Sequence, residues 1–373
     1  MKFIHIADLH LGKRFNDVNL LEDQEAALSQ IVERAVKDDI DAVIIAGDIY
    51  DKASPQADAM AAFDSFVSRI TAAGKKIYMI SGNHDSDKRI AYFSDIIKSV
   101  GIYTTSEFDG RLQLVKETDD HGELNIYMLP FIKPVHVRRF YPDETIETYE
   151  DAVRCVIKNS DVDPEKRNIL ICHQFITGAE TCDSETLSIG GLDNISASAF
   201  EDFDYVALGH IHKAQKVSRE TLRYSGSLLK YSFSEAKHKK SFCIAEIKGK
   251  GEISTELVPV NALHDVIEID GMYDELMKLP RTEDYASVTI HDEDPYPDAR
   301  MNLLQVFPNM MSFIISNSKT EYSMDINIGS DVKSKSVAEL FCDFYIAQNG
   351  SEPSEEIINA FNDVYKCVEG SDK

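Results

Sequence analysis

Short apolar runs alternate with amphipathic stretches over roughly the first eighty residues, and few architectures accept that pattern. Residues 3–7 read as a strand. A helix over 21–37 follows, in which Leu28, Ile31, Val32 and Ala35 keep helical spacing. Ala42, Val43, Ile44, Ile45 and Ala46 form an unbroken apolar run, the pattern of a strand buried on both faces. Met60, Phe63, Phe66, Val67 and Ile70 mark a second helix, and residues 76–80 a third strand. This βαβαβ order predicts an α/β layered fold with parallel strands.

Further strands are expected at 124–129, 168–172 and 205–208, after which the pattern turns hairpin-like at 222–224, 241–247 and 253–258. A boundary falls near 261–265. The chain therefore reads as a large domain over residues 1–262, followed by a small α/β capping domain over 263–325. The second has strands near 266–269, 286–290 and 312–315 and a helix near 300–306. Residues 330–373 are expected to form a helical hairpin. Val337, Leu340, Phe341, Phe344 and Tyr345 make one apolar stripe, and Asn349-Gly350 ends that helix. Pro353 opens the next, which carries Ile357, Ile358, Phe361, Val364, Tyr365 and Val368. Such a hairpin either packs on its own domain or docks on another protein's helices, and its density of aromatics favours docking.

Five short motifs carry the chemistry: Asp8-Leu9-His10, Gly47-Asp48-Ile49-Tyr50-Asp51, Gly82-Asn83-His84-Asp85, Cys172-His173-Gln174 and Gly209-His210-Ile211-His212. Each falls at the C-terminal end of a predicted strand, where open α/β sheets place their sites. Gly47, Gly82 and Gly209 let the chain turn just past the sheet edge. Singly the motifs say little. With 11 His in the chain, one Asp-x-His arises by chance. A lone His after a strand is more often a satisfied core residue, and Asn83 alone is a turn residue. Together they are hard to explain as structure, because costly polar groups would sit at five strand ends at once. Asp, Asn and His in this combination suit two borderline-hard divalent metals.

The ordered set resembles the calcineurin-like metallophosphoesterases, whose fold is a layered β-sandwich flanked by helices. Asp8-Leu9-His10-Leu11-Gly12-Lys13, Gly47-Asp48-Ile49-Tyr50-Asp51-Lys52 and Gly82-Asn83-His84-Asp85 narrow it to the SbcD branch. So do Tyr224-Ser225-Gly226-Ser227 and Tyr231-Ser232-Phe233-Ser234-Glu235, with the basic run Lys237-His238-Lys239-Lys240 behind it. The likeness covers residues 1 to about 260. It implies one metal held by Asp8, His10, Asp48 and His212, and another held by Asp48, Asn83, His173 and His210. The family's usual ion is Mn²⁺, which the ligand types permit alongside Fe and Zn. It also implies two-metal hydrolysis of DNA phosphodiester bonds, 3′→5′ on duplex ends and endonucleolytic on single strands and hairpins. The implied partner is an SbcC-like ATPase with coiled coils, within a heterotetramer that contains an SbcD homodimer.

His84 is the candidate general acid for the leaving 3′ oxygen, with Asp85 behind it. Asp51 is either a partner behind a ligand or a helix N-cap, and Lys52 either a phosphate contact or a solvated lysine. Ser/Thr phosphatases share the scaffold but differ after Gly-Asp and Gly-Asn-His. A small-molecule phosphodiesterase or nucleotidase on the same fold, and a non-catalytic scaffold, are the alternatives. The formal charge of −25 argues against binding nucleic acid by bulk positive charge. The deficit is uneven, −14 beyond residue 264 and −11 before it, and metal-binding carboxylates contribute to it. Lys13, Arg14, Arg138, Arg139, Arg223, Lys230 and Lys237 to Lys240 are the candidate DNA contacts, with further phosphate contacts expected from the partner. No apolar run reaches the ~18 residues of a membrane span. The opening residues run straight into a strand, so no signal peptide is expected, and six Cys without framework spacing suit reduced thiols in a cytoplasmic protein, to which the resemblance adds an expected nucleoid association.

Overall fold

The computed structural model describes residues 1–16, 18–105, 107–185 and 193–318, with scattered positions between 341 and 361. Two compact units emerge: Met1–Glu268 with Thr282–Ser287 and Asn309–Met311, and Ile269–Arg281 with Val288–Pro308 and Ser312–Lys373.

The first unit is built on two six-stranded sheets. One runs in the order Ile253–Pro259, Ser241–Ile247, Lys2–Ile6, Ala42–Ala46, Lys76–Ile80, Ile102–Thr104. The other runs Gln215–Val217, Arg219–Tyr224, Tyr205–Gly209, Arg167–His173, Gly122–Leu129, Gln113–Asp119. The central strands are parallel, as the helix-crossover pattern requires. Ser241–Ile247 lies antiparallel to both Lys2–Ile6 and Ile253–Pro259, in keeping with the hairpin-like pattern read over that stretch. Its pairing with Ile253–Pro259 follows from the short connection between them, which can only return the chain alongside itself.

Side-chain alternation explains why the central strands contain no polar face. Val43 and Ile45 pack outward against helices Leu21–Lys37 and Ala57–Ala72. Ala42, Ile44 and Ala46 pack inward with Ile169, Ile171 and Tyr205 of the opposite sheet. On the far side, Leu170 and Cys172 join Val153 and Val156 of helix Tyr149–Lys158. The layers therefore run helix, sheet, sheet, helix. Strand Gln113–Asp119 escapes sequence reading because it is a polar edge strand with four exposed positions.

Val266–Gly271, Tyr285–Ile290 and Met310–Ile315 form a three-stranded sheet in chain order, and the second unit holds the short helices Tyr273–Leu276 and Ala299–Leu303. The hairpin expected over 330–373 lies largely outside the described residues. Among the positions described there, the Phe341 and Phe361 rings stack with centroids 4.0 Å apart. No helix among the described residues is long and apolar enough to cross a membrane.

Candidate metal centre

The parallel strands of both sheets end at one edge, and the loops leaving them converge there. Asp8 and His10 follow Lys2–Ile6, Asp48 follows Ala42–Ala46, and Asn83 to Asp85 follow Lys76–Ile80. His173 is the last residue of its strand, and His210 and His212 follow Tyr205–Gly209. All five motifs thus arrive at a single locus. Main-chain bonds tie the first two loops together, with Asp8 N donating to Gly47 O at 3.1 Å and His10 N to Asp48 O at 3.0 Å.

The backbone is strained at the chemically important positions. Asp8, His10, Asp48 and His210 have φ of 53°, 44°, 49° and 101°, a region non-glycine residues avoid at a cost of about 1–3 kcal/mol each. Surrounding contacts overdetermine these conformations. Gln24, on the first turn of its helix, donates to Leu9 O and His10 O, and Tyr231 Oη also donates to Leu9 O. Gly82 and Gly209 serve a different purpose from the turning expected of them. A Cβ on Gly82 would overlap the Asp48 carboxylate, and one on Gly209 would overlap Ala46 O, so both are glycine for close approach.

Two groups of side chains share Asp48. On one side His10 Nε2 lies 3.7 Å from Asp48 Oδ2 and 3.1 Å from His212 Nε2. On the other, His173 Nε2 lies 3.4 Å from Asp48 Oδ2 and 3.0 Å from Asn83 Oδ1, and His210 Nδ1 also reaches Asn83 Oδ1 at 3.0 Å. Asp8 Oδ1 accepts from His210 N at 2.9 Å. His173 Nδ1 donates to Ala46 O at 2.8 Å, which turns Nε2 into the cluster.

Burial dominates the electrostatics. It pushes Asp8 up to about 7, with Asp48 adding to the rise and His173 and His212 opposing it. Burial acts upward on Asp48 too, but His173, His10 and His84 more than reverse it and hold that carboxyl below the ordinary range. Burial pushes His173 down, yet Asp48 outweighs it and lifts the imidazole to about 9. Burial holds His10 well below its usual value and takes His210 to about 3. The set concentrates negative charge on Asp48, and His10 and His210 beside it have little tendency to protonate.

These residues fit divalent cations. Asp8 Oδ2 is buried with no hydrogen-bond partner, and at the paired imidazoles two Nε2 atoms face each other. Unpaired oxygen and nitrogen donors facing one point are costly unless something positive joins them. Asp8, His10 and His212 form one compact donor group and Asp8, Asp48 and His173 another.

Three expectations change. Asp85 does not stand behind His84. Its carboxylate accepts from Ile49 N, Tyr50 N and Gly82 N at 2.9–3.1 Å, stapling the Asp48 loop to the Asn83 loop. Three main-chain N–H groups converge there, so the carboxylate is consumed by the backbone. His84 is instead oriented by Asp51, whose carbonyl accepts from its Nδ1 at 2.9 Å. Asp51 is also no helix cap: its carboxylate pairs with Lys13 Nζ at 2.9 Å and lies 3.9 Å from His10 Nδ1. Among the basic candidates, Arg223, Lys230 and Lys240 are buried and paired with Glu220, Asp265 and Glu235, so they are unavailable to a polyanion. Arg14, Arg138, Arg139, Lys52, Lys237 and Lys239 are exposed.

Sequence reasoning missed Gln24, Ser184 and Glu185 as neighbours of the site, quoted Glu235 only as part of a motif, and read Lys240 as a candidate DNA contact. Each comes from a helix or loop outside the five motifs, and nothing in the linear pattern distinguishes it from a surface polar residue.

A two-sheet α/β sandwich with Asp, Asn and His gathered at its strand ends defines the metallophosphoesterase class, and comparison agrees. Residues 1–214 match the calcineurin-like phosphoesterase family model, and the chain belongs to that family. Over 331 residues, 87% of either chain, it is 32% identical to the SbcD component of the SbcCD nuclease of Staphylococcus epidermidis. The likeness to the SbcD branch read from the motifs is therefore borne out.

Proposed function

We propose that this chain is the nuclease subunit of an SbcCD-type complex, hydrolysing DNA phosphodiester bonds in the cytoplasm. The observation that carries this reading is the convergence of seven donor residues on one wall beside His84, in a chain resembling a nuclease subunit over most of its length. Asp8, His10, Asp48 and His212 would hold one divalent ion, and Asp48, Asn83, His173 and His210 a second, with Mn²⁺ as the proposed metal. Bound there, such ions supply Lewis-acid stabilisation of phosphoryl charge and make hydroxide accessible near neutral pH. Asn83 contributes a neutral oxygen, so the loaded site keeps more positive charge for a phosphodiester than carboxylates alone would leave.

His84 supplies the proton. With its Nδ1–H donated to Asp51 O, the ring has Nε2 left for chemistry. An imidazolium that releases its Nε2 proton to the leaving 3′ oxygen returns to the neutral tautomer that Asp51 already holds. We further propose 3′→5′ exonuclease action on duplex ends, endonuclease action on single strands and hairpins, and an SbcC-like ATPase as partner. Exposed Lys237 and Lys239 are the proposed phosphate contacts on this chain.

The test uses the purified chain, wild type and His84→Ala, with Mn²⁺, on end-labelled duplex, hairpin-ended duplex and a small chromogenic phosphodiester. Loss of DNA degradation in the mutant supports both nuclease and acid. Turnover of the small ester with DNA untouched, even with the ATPase partner added, would reject the nuclease reading for a small-molecule phosphodiesterase.

A further inference from the structure

His212 is held unlike the other site histidines. His173 and His84 are each oriented through Nδ1 by a main-chain carbonyl, which no substitution can remove. His212 Nδ1 instead lies 2.7 Å from Ser184 Oγ. That hydroxyl donates its own hydrogen to Glu235 Oε1 at 2.5 Å. With its hydrogen committed, the oxygen of Ser184 can only accept, so His212 carries its hydrogen on Nδ1. Nε2 is left as a lone pair, turned toward His10 Nε2 at 3.1 Å.

The carboxylate that drives this relay is fully enclosed. Glu235 is 0% exposed and accepts from Tyr231 N at 3.1 Å, Ser232 Oγ at 3.3 Å and Lys240 Nζ. Lys240 in turn donates to His212 O at 2.9 Å and Ser227 Oγ at 2.8 Å, while Glu185 Oε1 accepts from His212 N at 2.7 Å. Burying a charge pair carries a desolvation penalty that apolar side chains filling the same space would avoid. Here the expense places a hydroxyl acceptor behind one imidazole and fixes the main chain on either side of it.

We propose that Glu235, acting through Ser184, is a positioning residue that sets the tautomer and orientation of His212 toward the cation held with Asp8 and His10. The inference rests on the two-metal reading above. Hydrogen-bond partners behind a ligating imidazole typically govern metal affinity by about 10–100-fold.

The test combines imidazole ¹⁵N–¹H correlation spectra of the metal-free full chain with Mn²⁺ calorimetry. Wild type, Ser184→Ala, Ser184→Thr, Glu235→Gln and His212→Ala are compared, the last to assign the His212 signals. Wild type should show His212 as the Nδ1–H tautomer. Ser184→Ala should lose that signature and weaken one Mn²⁺ equilibrium about 10–100-fold while sparing the other, and Ser184→Thr, which keeps the hydroxyl, should restore both. Glu235→Gln should shift the spectrum the same way; if it fails to fold, the two Ser184 variants decide. An unchanged tautomer and unchanged Mn²⁺ affinity in folded Ser184→Ala would overturn the proposal. Absence of Mn²⁺ binding in wild type would refute the metal reading instead, and the metal-free spectra would still judge the relay.

Discussion

His84 and Asp85 are adjacent in the chain but serve different purposes. The His84 imidazole has one nitrogen tethered to Asp51 O, while Asp85 is enclosed by three main-chain donors. Substituting His84 by Ala should therefore reduce kcat on a phosphodiester by about 10²–10⁴-fold and leave Mn²⁺ affinity near wild type. A parallel collapse of affinity in calorimetry would remove His84 from the acid role. Asp85→Ala should behave in the opposite way. It strands up to three buried N–H groups, at about 1–3 kcal/mol each, so urea unfolding should show a loss of at least about 2 kcal/mol. Mn²⁺ affinity should fall as well, since the loops bearing Asp48 and Asn83 come apart. At this scale the sequence identified residue types well and partners poorly. An Asp after a His reads equally as its orienting group or as a loop staple, and only the direction of the carboxylate separates them.

The first-turn residue Gln24 shows how an element serves the site. Helix Leu21–Lys37 is legible from its apolar spacing, yet that periodicity gives no hint that Gln24, a polar residue on the buried side, holds the carbonyls of Leu9 and of the strained His10. Gln24→Ala should cost about 1–3 kcal/mol, measured by chemical unfolding, because Leu9 O and His10 O keep only Tyr231 Oη and Lys13 N as donors while Gly12 N loses its acceptor, Gln24 Oε1. A second element-level prediction concerns acid. Asp119, ending the polar edge strand, forks onto Arg167 of the same sheet with contacts of 3.1 and 2.6 Å. Desolvation opposes the carboxylate, but Arg167 more than reverses it and holds the group below the ordinary range. A depressed folded pKa means the unfolded chain takes up the proton first. The stabilisation is present above the unfolded value of about 3.9 and is lost as pH falls through the folded one. Thermal unfolding followed from about pH 5 down to about pH 2 should show Tm falling, and Asp119→Asn should fall less steeply over that window. Equal slopes would mean the pair contributes nothing.

For the molecule as a whole, the strain stored at Asp8, His10, Asp48 and His210 should be balanced in part by bound metal. Mn²⁺ at a hundred times its dissociation constant should raise unfolding free energy by about 2.7 kcal/mol per site. A chelator should reverse the gain, and Asp48→Ala should show little of it. A wild-type Tm indifferent to both additions would count against the metal site. The stacked Phe341 and Phe361 rings bear on the proposed partner. Replacing both with Glu should abolish pulldown of an SbcC-like ATPase and spare Mn²⁺ binding. An intact complex would reject the docking role of this segment.

Residue order alone determined the layered α/β architecture, because strands such as Ala42–Ala46 must be apolar throughout when both faces are covered. It also marked the seven donors, since polar residues placed directly after buried strands share the sheet edge. The tertiary structure decided the rest. Which loop lies behind His212, where Glu235 is enclosed, and why Arg223 and Lys240 are unavailable to DNA all depend on contacts between distant segments. A charge in the sequence is the same letter whether it faces water or a buried partner, and only packing distinguishes the two.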